Sequence, residues 1–571
     1  MNPEQLLAHF DRISDAPDAI PRLRRFILDL AVRGKLIEQD PKDEPASELV
    51  KRIQAEEARL RKEGEIRKQE QLPPVDAGSI PFLAPKYWTW LPLTRIGLLS
   101  GGMTPSKNRW EFWEGDINWF SPKDIKSDEL VESELKITRT GVEETGLQLY
   151  PPGCLFIVAR SGILKRTFPV SINRVKATVN QDLKVLKPFV EGLERYLQIM
   201  FRGMTDVILS TLVKTGTTVQ SLKYEEFELQ PFPLPPLAEQ HRIVAKVEEL
   251  MALCDRLDAA KAERESRRDR LAASSLHRLN NGTDPDGFRD HARFYFNQLP
   301  RLTTKPEHIQ QLRKTILDLA VSGKLVPQDP NVVPVAIADI PLAKKSDGRV
   351  LDDNPEDNAG PYNIPESWRW YRLGAISQHI TDGEHATPPR IIEQQVPLVT
   401  AKNVRNGFMD YDDTDWVSFE TANKAWSRCR PAIGDILLVC VGATTGRLCV
   451  LHEARDMVLV RSVALIRPYK AIDVYYLALA LRSPMCQTQI WGKVKVTAQP
   501  CLYIHRIKSL SIPIPPLAEQ HRIVAKVDEL MAICDKLEAQ LTTTHTESRR
   551  LLEAVLHEAL SGRNEHESVN R

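Results

Sequence analysis

The stretch Pro235–Val247 reads PPLAEQHRIVAKV, and Pro515–Val527 repeats it without a change. Thirteen residues therefore recur at an offset of 280. The match runs on with conservative replacements: EELMALCDRLDA (Glu248–Ala259) faces DELMAICDKLEA (Asp528–Ala539). Upstream, LRRFILDLAVRGKLIEQDP (Leu23–Pro41) faces LRKTILDLAVSGKLVPQDP (Leu312–Pro330) at an offset of 289. A partial third copy, LHEALSGR (Leu556–Arg563), closes the chain. Short helix, variable block and long helix thus follow one another twice, and repetition on this scale decides the architecture before any local reading.

The long repeated segment carries an apolar seam. Ile243, Val247, Leu250, Cys254 and Leu257 are spaced four and three apart, as are Ile523, Val527, Leu530, Cys534, Leu537 and Leu541. An a/d stripe of this kind predicts a helix that pairs with another helix. Pro236 and Pro516 stand where a helix begins. Two such helices in one chain are expected to zip antiparallel, burying seam on seam and relating the blocks they carry by about 180°. At about 1.5 Å per residue, 35–40 residues span about 50–60 Å, or one to two DNA turns of about 34–36 Å each. A fixed frame of this kind sets a distance and an orientation, while the blocks it carries are free to differ.

The variable blocks open on matched tryptophan pairs, Trp88 with Trp90 and Trp368 with Trp370. Their apolar neighbours predict core packing for all four. Within the blocks CLFIVARSG faces DILLVCVGA and LKVLKP faces VALIRP, short apolar runs that read as strands. ERYLQIMFRGM and VYYLALALRS read as matched helices. Ser47–Gln71 is highly charged and reads as a helix with no counterpart in the second half. Lys344–Pro361 reads as an exposed linker.

The expected fold class is α+β: two globular mixed α/β blocks separated by two long antiparallel helices in a coiled coil, with an internal pseudo-two-fold repeat. The domain boundaries follow. Residues 1–80 form an N-terminal helical region with the first short repeated helix, 81–234 the first block and 235–280 the first long helix. Residues 281–360 form a linker with the second short helix, 361–514 the second block, and 515–571 the second long helix with the partial copy.

Composition narrows the function. The chain has 571 residues, a net charge of +1 and eight cysteines. No cysteines form a C-x-x-C pair or lie at zinc-finger spacing from histidines, which points to free thiols. No apolar run is long enough for a membrane span, and the polar N-terminus lacks a secretory core, so the expected location is cytoplasmic. The window Arg160–Lys187 is locally basic, with seven Lys or Arg against Asp182 alone.

Together these features resemble the specificity subunit of type I restriction–modification enzymes. GGMTPSKNRWEFWEGDINWFSPKDI (Gly101–Ile125) is similar to that family's entry into a target-recognition domain, and GTTVQSLKYEEFELQPFPLPPLAEQHRIV (Gly216–Val244) to its exit. ILDLAVRGKL and ILDLAVSGKL resemble its other repeated region. The second block departs from the pattern, with ITDGEHATPPR (Ile380–Arg390) and KVKVTAQPCL (Lys493–Leu502) in the corresponding places.

The resemblance implies a non-catalytic subunit. Each block would be a target-recognition domain reading one half of an asymmetric, bipartite site on double-stranded DNA. The helices would set the spacer and dock two methyltransferase subunits, and two restriction subunits, both translocase and nuclease, would join that complex. The chain would bind no cofactor; S-adenosylmethionine, ATP and Mg²⁺ would sit on the partners.

The residues agree that chemistry is missing. YPPG and TPPR lack the Asn or Asp and the aromatic of an adenine methyltransferase corner. GATTGR (Gly442–Arg447) has neither the spacing nor the Lys-Ser/Thr of a phosphate-binding loop. His241 and His521 have no second ligand at helical spacing. One rival is a fused single-chain nuclease built on Glu134 and Lys136 with Asp124 or Asp128. Another is a protein-binding scaffold.

On the recognition reading, phosphates are met by Lys and Arg and bases by polar side chains. In the first block the candidates are Thr104, Ser106, Lys107, Asn108, Arg109, Lys123, Lys126, Arg160, Lys165, Arg166, Lys214, Thr217, Thr218 and Gln220. In the second they are His385, Thr387, Arg390, Lys402, Asn403, Arg405, Arg447, Lys493, Lys495 and Gln499.

Overall fold

The computed structural model describes residues 16–64, 66, 75–214, 216, 219–282, 285–329, 360–495 and 499–561. The predicted linker, apart from Gly360 and Pro361, lies outside them, as do Thr217, Thr218 and the last residues of the charged segment. Two compact units divide the chain, one of residues 1–263 with 545–571 and one of residues 264–544.

The helices that frame the two units begin with α1 (Ala19–Val32), α2 (Ala46–Lys62), α3 (Glu194–Gly203) and α4 (Leu237–Asn281). They continue with α5 (Pro285–Leu302), α6 (Pro306–Val321), α7 (Val474–Arg482), α8 (Pro484–Lys493) and α9 (Leu517–Ser561). The long helices α4 and α9 have 45 residues each, more than the 35–40 expected, and each is divided between the units.

In the first unit the core sheet has five strands, in the order Gly97–Gly101, Leu183–Pro188, Leu155–Val158, Val170–Asn173, Glu129–Leu130. In the second it has four, in the order Ser377–Asp382, Val463–Pro468, Ile436–Val439, Leu448–Val450. The runs read as strands are the central members of both sheets. Leu155–Val158 and Ile436–Val439 are buried at every position, as an interior strand covered on both faces must be.

A short antiparallel ribbon closes each domain. Thr89–Pro92 pairs with Pro231–Leu234, placing Trp90 opposite Pro233. Arg369–Arg372 pairs with Ser511–Ile514, placing Trp370 opposite Pro513. Proline is tolerated because each ribbon strand has a free edge that needs no donor. Trp88, Trp368 and Trp370 are buried, and Trp90 packs edge-on to Phe82 at 5.1 Å.

The repeated stretch joins ribbon to helix. Glu239 is buried and accepts from Trp88 Nε1 at 3.0 Å and from Gln39 Nε2 at 2.6 Å. Gln240 Nε2 donates to the Pro235 carbonyl at 2.9 Å. Tyr196 of α3 donates to the Pro233 carbonyl at 2.8 Å. The second unit repeats the knot. Gln328 donates to Glu519 at 2.7 Å, Gln520 to the Pro515 carbonyl at 2.9 Å, and Tyr476 to the Pro513 carbonyl at 2.7 Å. Glu and Gln in PPLAEQ are therefore buried polar groups with specific partners, which is why both copies keep them.

The first turns of each long helix have a partner that the sequence did not name. Each seam is buried within its own unit. Ile243, Val247 and Cys254 belong to the first unit's core with α1 residues Ile20, Ile27 and Ala31, and Leu250 and Leu257 pack against it. Ile523, Val527 and Cys534 belong to the second unit's core with α6 residues Ile309, Leu312 and Ile316, and Leu530 and Leu537 pack against it. Arg24 of α1 pairs with Asp255 at 2.6 Å, and Arg313 of α6 with Asp535 at 2.6 Å. A heptad stripe requires a helical partner without naming it, and here the short repeated helix is that partner. It ends in each unit at a glycine of positive φ, Gly34 (65°) and Gly323 (74°), the left-handed conformation that terminates a helix.

Candidate nucleic-acid interface

In the first domain the entry loop lies over the strand Trp113–Phe120. Trp119 Nε1 donates to the Met103 carbonyl at 3.1 Å and Trp113 Nε1 to the Ser106 carbonyl at 3.2 Å. The two indoles meet edge-on at 5.2 Å. Gly102 allows the loop its close approach: a Cβ there would stand 1.7 Å from the Val179 carbonyl oxygen. The second domain's entry loop has a different sequence but the same device, because a Cβ on Gly383 would stand 2.0 Å from the Leu459 carbonyl oxygen.

Anchored in this way, the first loop exposes Ser106, Lys107, Asn108 and Arg109. Thr104 is engaged, its hydroxyl donating to Gln181 Oε1 at 2.6 Å. Arg109 pairs with Glu144 at 2.8 Å and lies over the Phe112 ring at 4.1 Å. Sequence reasoning missed Trp110, which is 80% exposed beside Arg109. The signal was there: an indole in a polar loop outside any apolar period.

A three-stranded sheet brings a second group together. Arg160–Ser161 pairs with Gln220–Leu222, which pairs with Val213–Lys214. Ser221 is register partner to both Arg160 and Lys214, so the two cations share one face. Lys165 ends the turn Gly162–Lys165 that follows, and Arg166 is exposed beside it. Lys123 and Lys126 are exposed after the tryptophan strand. Among the described residues, no carboxylate pairs with Lys107, Lys123, Lys126, Arg160, Lys165, Arg166 or Lys214. Gln220 is a correction: it is 3% exposed, and its Nε2 donates to the Gly216 carbonyl at 3.2 Å. It staples the exit loop and has no surface to offer.

The second domain engages most of its candidate basic side chains with carboxylates. His385 meets Asp382 at 3.1 Å, Arg390 meets Asp415 at 3.3 Å, Lys402 meets Asp413 at 3.0 Å and Arg405 meets Asp410 at 3.0 Å. Thr387, Lys495 and Gln499 are exposed, and Lys493 is half-buried. Arg447 lines a cleft that it shares with Arg482 of α7. Asn403 is the second correction. It is 1% exposed, accepts from the Thr400 backbone at 2.9 Å, and donates to the Asp410 carbonyl at 3.1 Å. Asp124 has the same task in the first domain, accepting from the Ser121 backbone at 2.8 Å and the Glu134 backbone at 2.9 Å. Both are turn staples, and a polar residue type carries no sign that it is buried.

The nuclease constellation does not assemble. Asp124 is held in its turn, Asp128 pairs with Arg202 at 2.8 Å, and Lys136 pairs with Glu132 at 2.9 Å. Arg202 holds the Asp128 carboxyl below its ordinary range. Among the described residues, no group of three His, Cys, Asp or Glu side chains could hold a metal, and none of their helices is long and apolar enough to cross a membrane. His241 is exposed, and His521 lies 3.5 Å from Asp473.

Two like-built domains with dissimilar loops, each opening on a repeated helix, define a class of paired-recognition proteins. The type I restriction modification DNA specificity domain family matches residues 85–264 and 397–544. Those segments make up more than half of the chain, and the chain belongs to that family. It is 29% identical over 569 residues to the type I restriction enzyme EcoAI specificity subunit of Escherichia coli, covering 95% of this chain and 94% of that protein. It is 26% identical over 564 residues to the EcoEI specificity subunit of the same organism, covering 95% and 94%. Among solved structures it is similar to the HsdS subunit from Thermoanaerobacter tengcongensis. There the TM-score is 0.42 at 20% identity, covering 84% of this chain and 98% of that one.

Proposed function

We propose that this chain is the DNA-reading subunit of a type I restriction–modification complex, with each domain reading one half of an asymmetric split site. Catalysis belongs to other subunits. Two methyltransferase subunits, bound through the repeated helices, would carry S-adenosylmethionine. Two restriction subunits would carry ATP and Mg²⁺, and the complex would work in the cytoplasm. The long helices would run antiparallel as a coiled coil about a pseudo-two-fold axis and fix the gap between the half-sites. With the first turns of each seam covered by the short helix, that pairing would fall on the later turns.

The observation that carries this reading is the contrast between frame and loops. The glutamine, proline-carbonyl and tyrosine bonds of the buried knot at Glu239 recur at Glu519, while the loops differ in length, charge pairing and sequence. A repeated mount with dissimilar surfaces suits a target whose halves differ. Lys107, Lys123, Lys165 and Arg166 are the first domain's best phosphate contacts, since no internal pair must break before they act. Trp110 would reach a groove or a sugar edge. In the second domain Arg390, Lys402 and Arg405 would exchange carboxylates for phosphates.

Methylome sequencing of cells expressing this chain together with a type I methyltransferase subunit tests the proposal. A split adenine-methylation motif with a fixed gap is expected. A contiguous motif, or none, overturns it.

A further inference from the structure

The second unit contains a cleft of about 610 Å³ walled by α6, α7, α8, α9 and the loop Gly442–Arg447. Its lining is cationic: Arg313, Arg447 and Arg482 against the single carboxylate Asp528. Asn406 and Thr444 add neutral polar groups. Arg313 already serves Asp535 at 2.6 Å and Glu538 at 3.1 Å. Arg482 and Arg447 have no ion pair among the described residues. The Nε of Arg482 is buried with no hydrogen-bond acceptor. Burial pulls this guanidinium below its ordinary value, while Asp528 pulls the other way.

The repeat supplies an internal control. Arg202 of α3 stands 280 residues before Arg482. Its Nη2 donates to Asp128 Oδ1 at 2.8 Å and to the Val170 carbonyl at 3.3 Å. Gln198, four residues earlier, donates to the Asp128 carbonyl at 2.8 Å. At the matching position the second unit has Ala478. The first unit thus satisfies its arginine with its own carboxylate and fills the space beside it. The second keeps the arginine, shortens the neighbour and supplies no acceptor. Arg482 is half-buried and only its Nε is closed off without an acceptor. Burying a guanidinium nitrogen unpaired is unfavourable, so the position favours an anion from outside the chain.

We propose that this cleft is an oxyanion site that takes a phosphate group, gripped by the guanidinium forks of Arg482 and Arg447 with Thr444 and Asn406 as neutral donors. Planar forks suit bidentate contact with phosphate oxygens. With Arg313 held by Asp535 and Glu538, Arg447 and Arg482 face the single acid Asp528. This excess of one positive charge suits a singly charged oxyanion, and the hydroxyl and amide can serve a third oxygen. A duplex backbone and a free phosphate compound present the same chemistry to the cleft. The site does not depend on the recognition reading, because inorganic phosphate alone probes it.

The test is the thermal stability of the full chain in inorganic phosphate against chloride at equal ionic strength. The melting temperature of the parent should rise saturably with phosphate. Arg482→Met should match or exceed the parent in chloride, since it removes an uncompensated charge, and should weaken phosphate binding about tenfold or more. Arg202→Met, which breaks a satisfied pair, should lower stability and leave the phosphate response intact. If Arg482→Met is not soluble, Arg447→Gln at the same cleft should also weaken the response. A shallower salt dependence of Arg482→Met binding to a short mixed-sequence duplex would assign the phosphate to a DNA backbone. Unchanged duplex binding with a lost phosphate response would assign it to a free compound. An equal phosphate response in the parent and both cleft variants would overturn the site.

Discussion

Asp29 and Asp318 occupy the same place in the two short helices, yet their surroundings differ. Asp29 pairs with Arg33 at 2.7 Å. The position matching Arg33 is Ser322, and burial pushes the Asp318 carboxyl up to about 6. The folded chain therefore keeps a proton on Asp318 that the unfolded chain releases near pH 4. A folded-state value raised in this way contributes stability that is full below about pH 4 and declines as pH rises to about 6. Asp318→Asn should then be more stable than the parent at pH 7.5, with the gap closing as pH falls toward 4. Denaturant unfolding at a series of pH values checks this, and a gap independent of pH would refute it. The sequence shows Arg33 exchanged for Ser322 but not the burial of Asp318, because both helices read ILDLAV up to that point. Gln220 and Asn403 teach the same lesson, as their amides match a base-reading side chain in type and are buried inside the fold.

At the scale of elements, the junction of ribbon and long helix concentrates buried polar groups. Glu239→Ala would strand Trp88 Nε1 and Gln39, and Glu519→Ala would strand Gln328. Each missing acceptor should cost about 1–3 kcal/mol. Both variants should lower the melting temperature, and the double variant should lose about the sum, since the two knots belong to separate units. Equal stability of Glu239→Ala and the parent would show that the knot carries nothing. Elements of this kind were only partly legible. Leu155–Val158 and Ile436–Val439 announced themselves as unbroken apolar runs because interior strands need no polar face. Pro231–Leu234 hid as a strand because its two prolines speak against one, and only a free edge excuses them. The seam was visible, and its partner was not, because period reports a face and says nothing of what covers it.

Across the whole molecule, the architecture followed from repetition, since identity at a fixed offset survives in the frame even where most of each block has diverged. The ribbons make one consequence of it testable. Trp90 stands opposite Pro233 in the first, so the recognition domain enters and leaves through adjacent backbone. A segment whose ends meet can be replaced without moving its mount. Residues 97–229 lie between the two ribbon strands, and Trp88, Gln39, Glu239 and Gln240 of the knot all fall outside them. Exchanging this segment for the matching one of another specificity chain, with Tyr196 kept, should leave the Glu239 knot and both long helices intact. Methylome sequencing of the exchanged protein with its methyltransferase should then show one half of the split motif altered, with the other half and the gap unchanged. A changed gap would mean that the domain itself sets the spacing. Two altered halves would mean that neither domain reads its half alone. Neutralising Lys107, Lys123, Lys165 and Arg166 together should act differently. Duplex affinity should fall for every sequence, and the slope of log affinity against log salt should flatten by about 0.9 for each phosphate no longer neutralised, while the methylated motif stays the same. A shift of motif without a change of slope would move those four residues from phosphate holding to base reading.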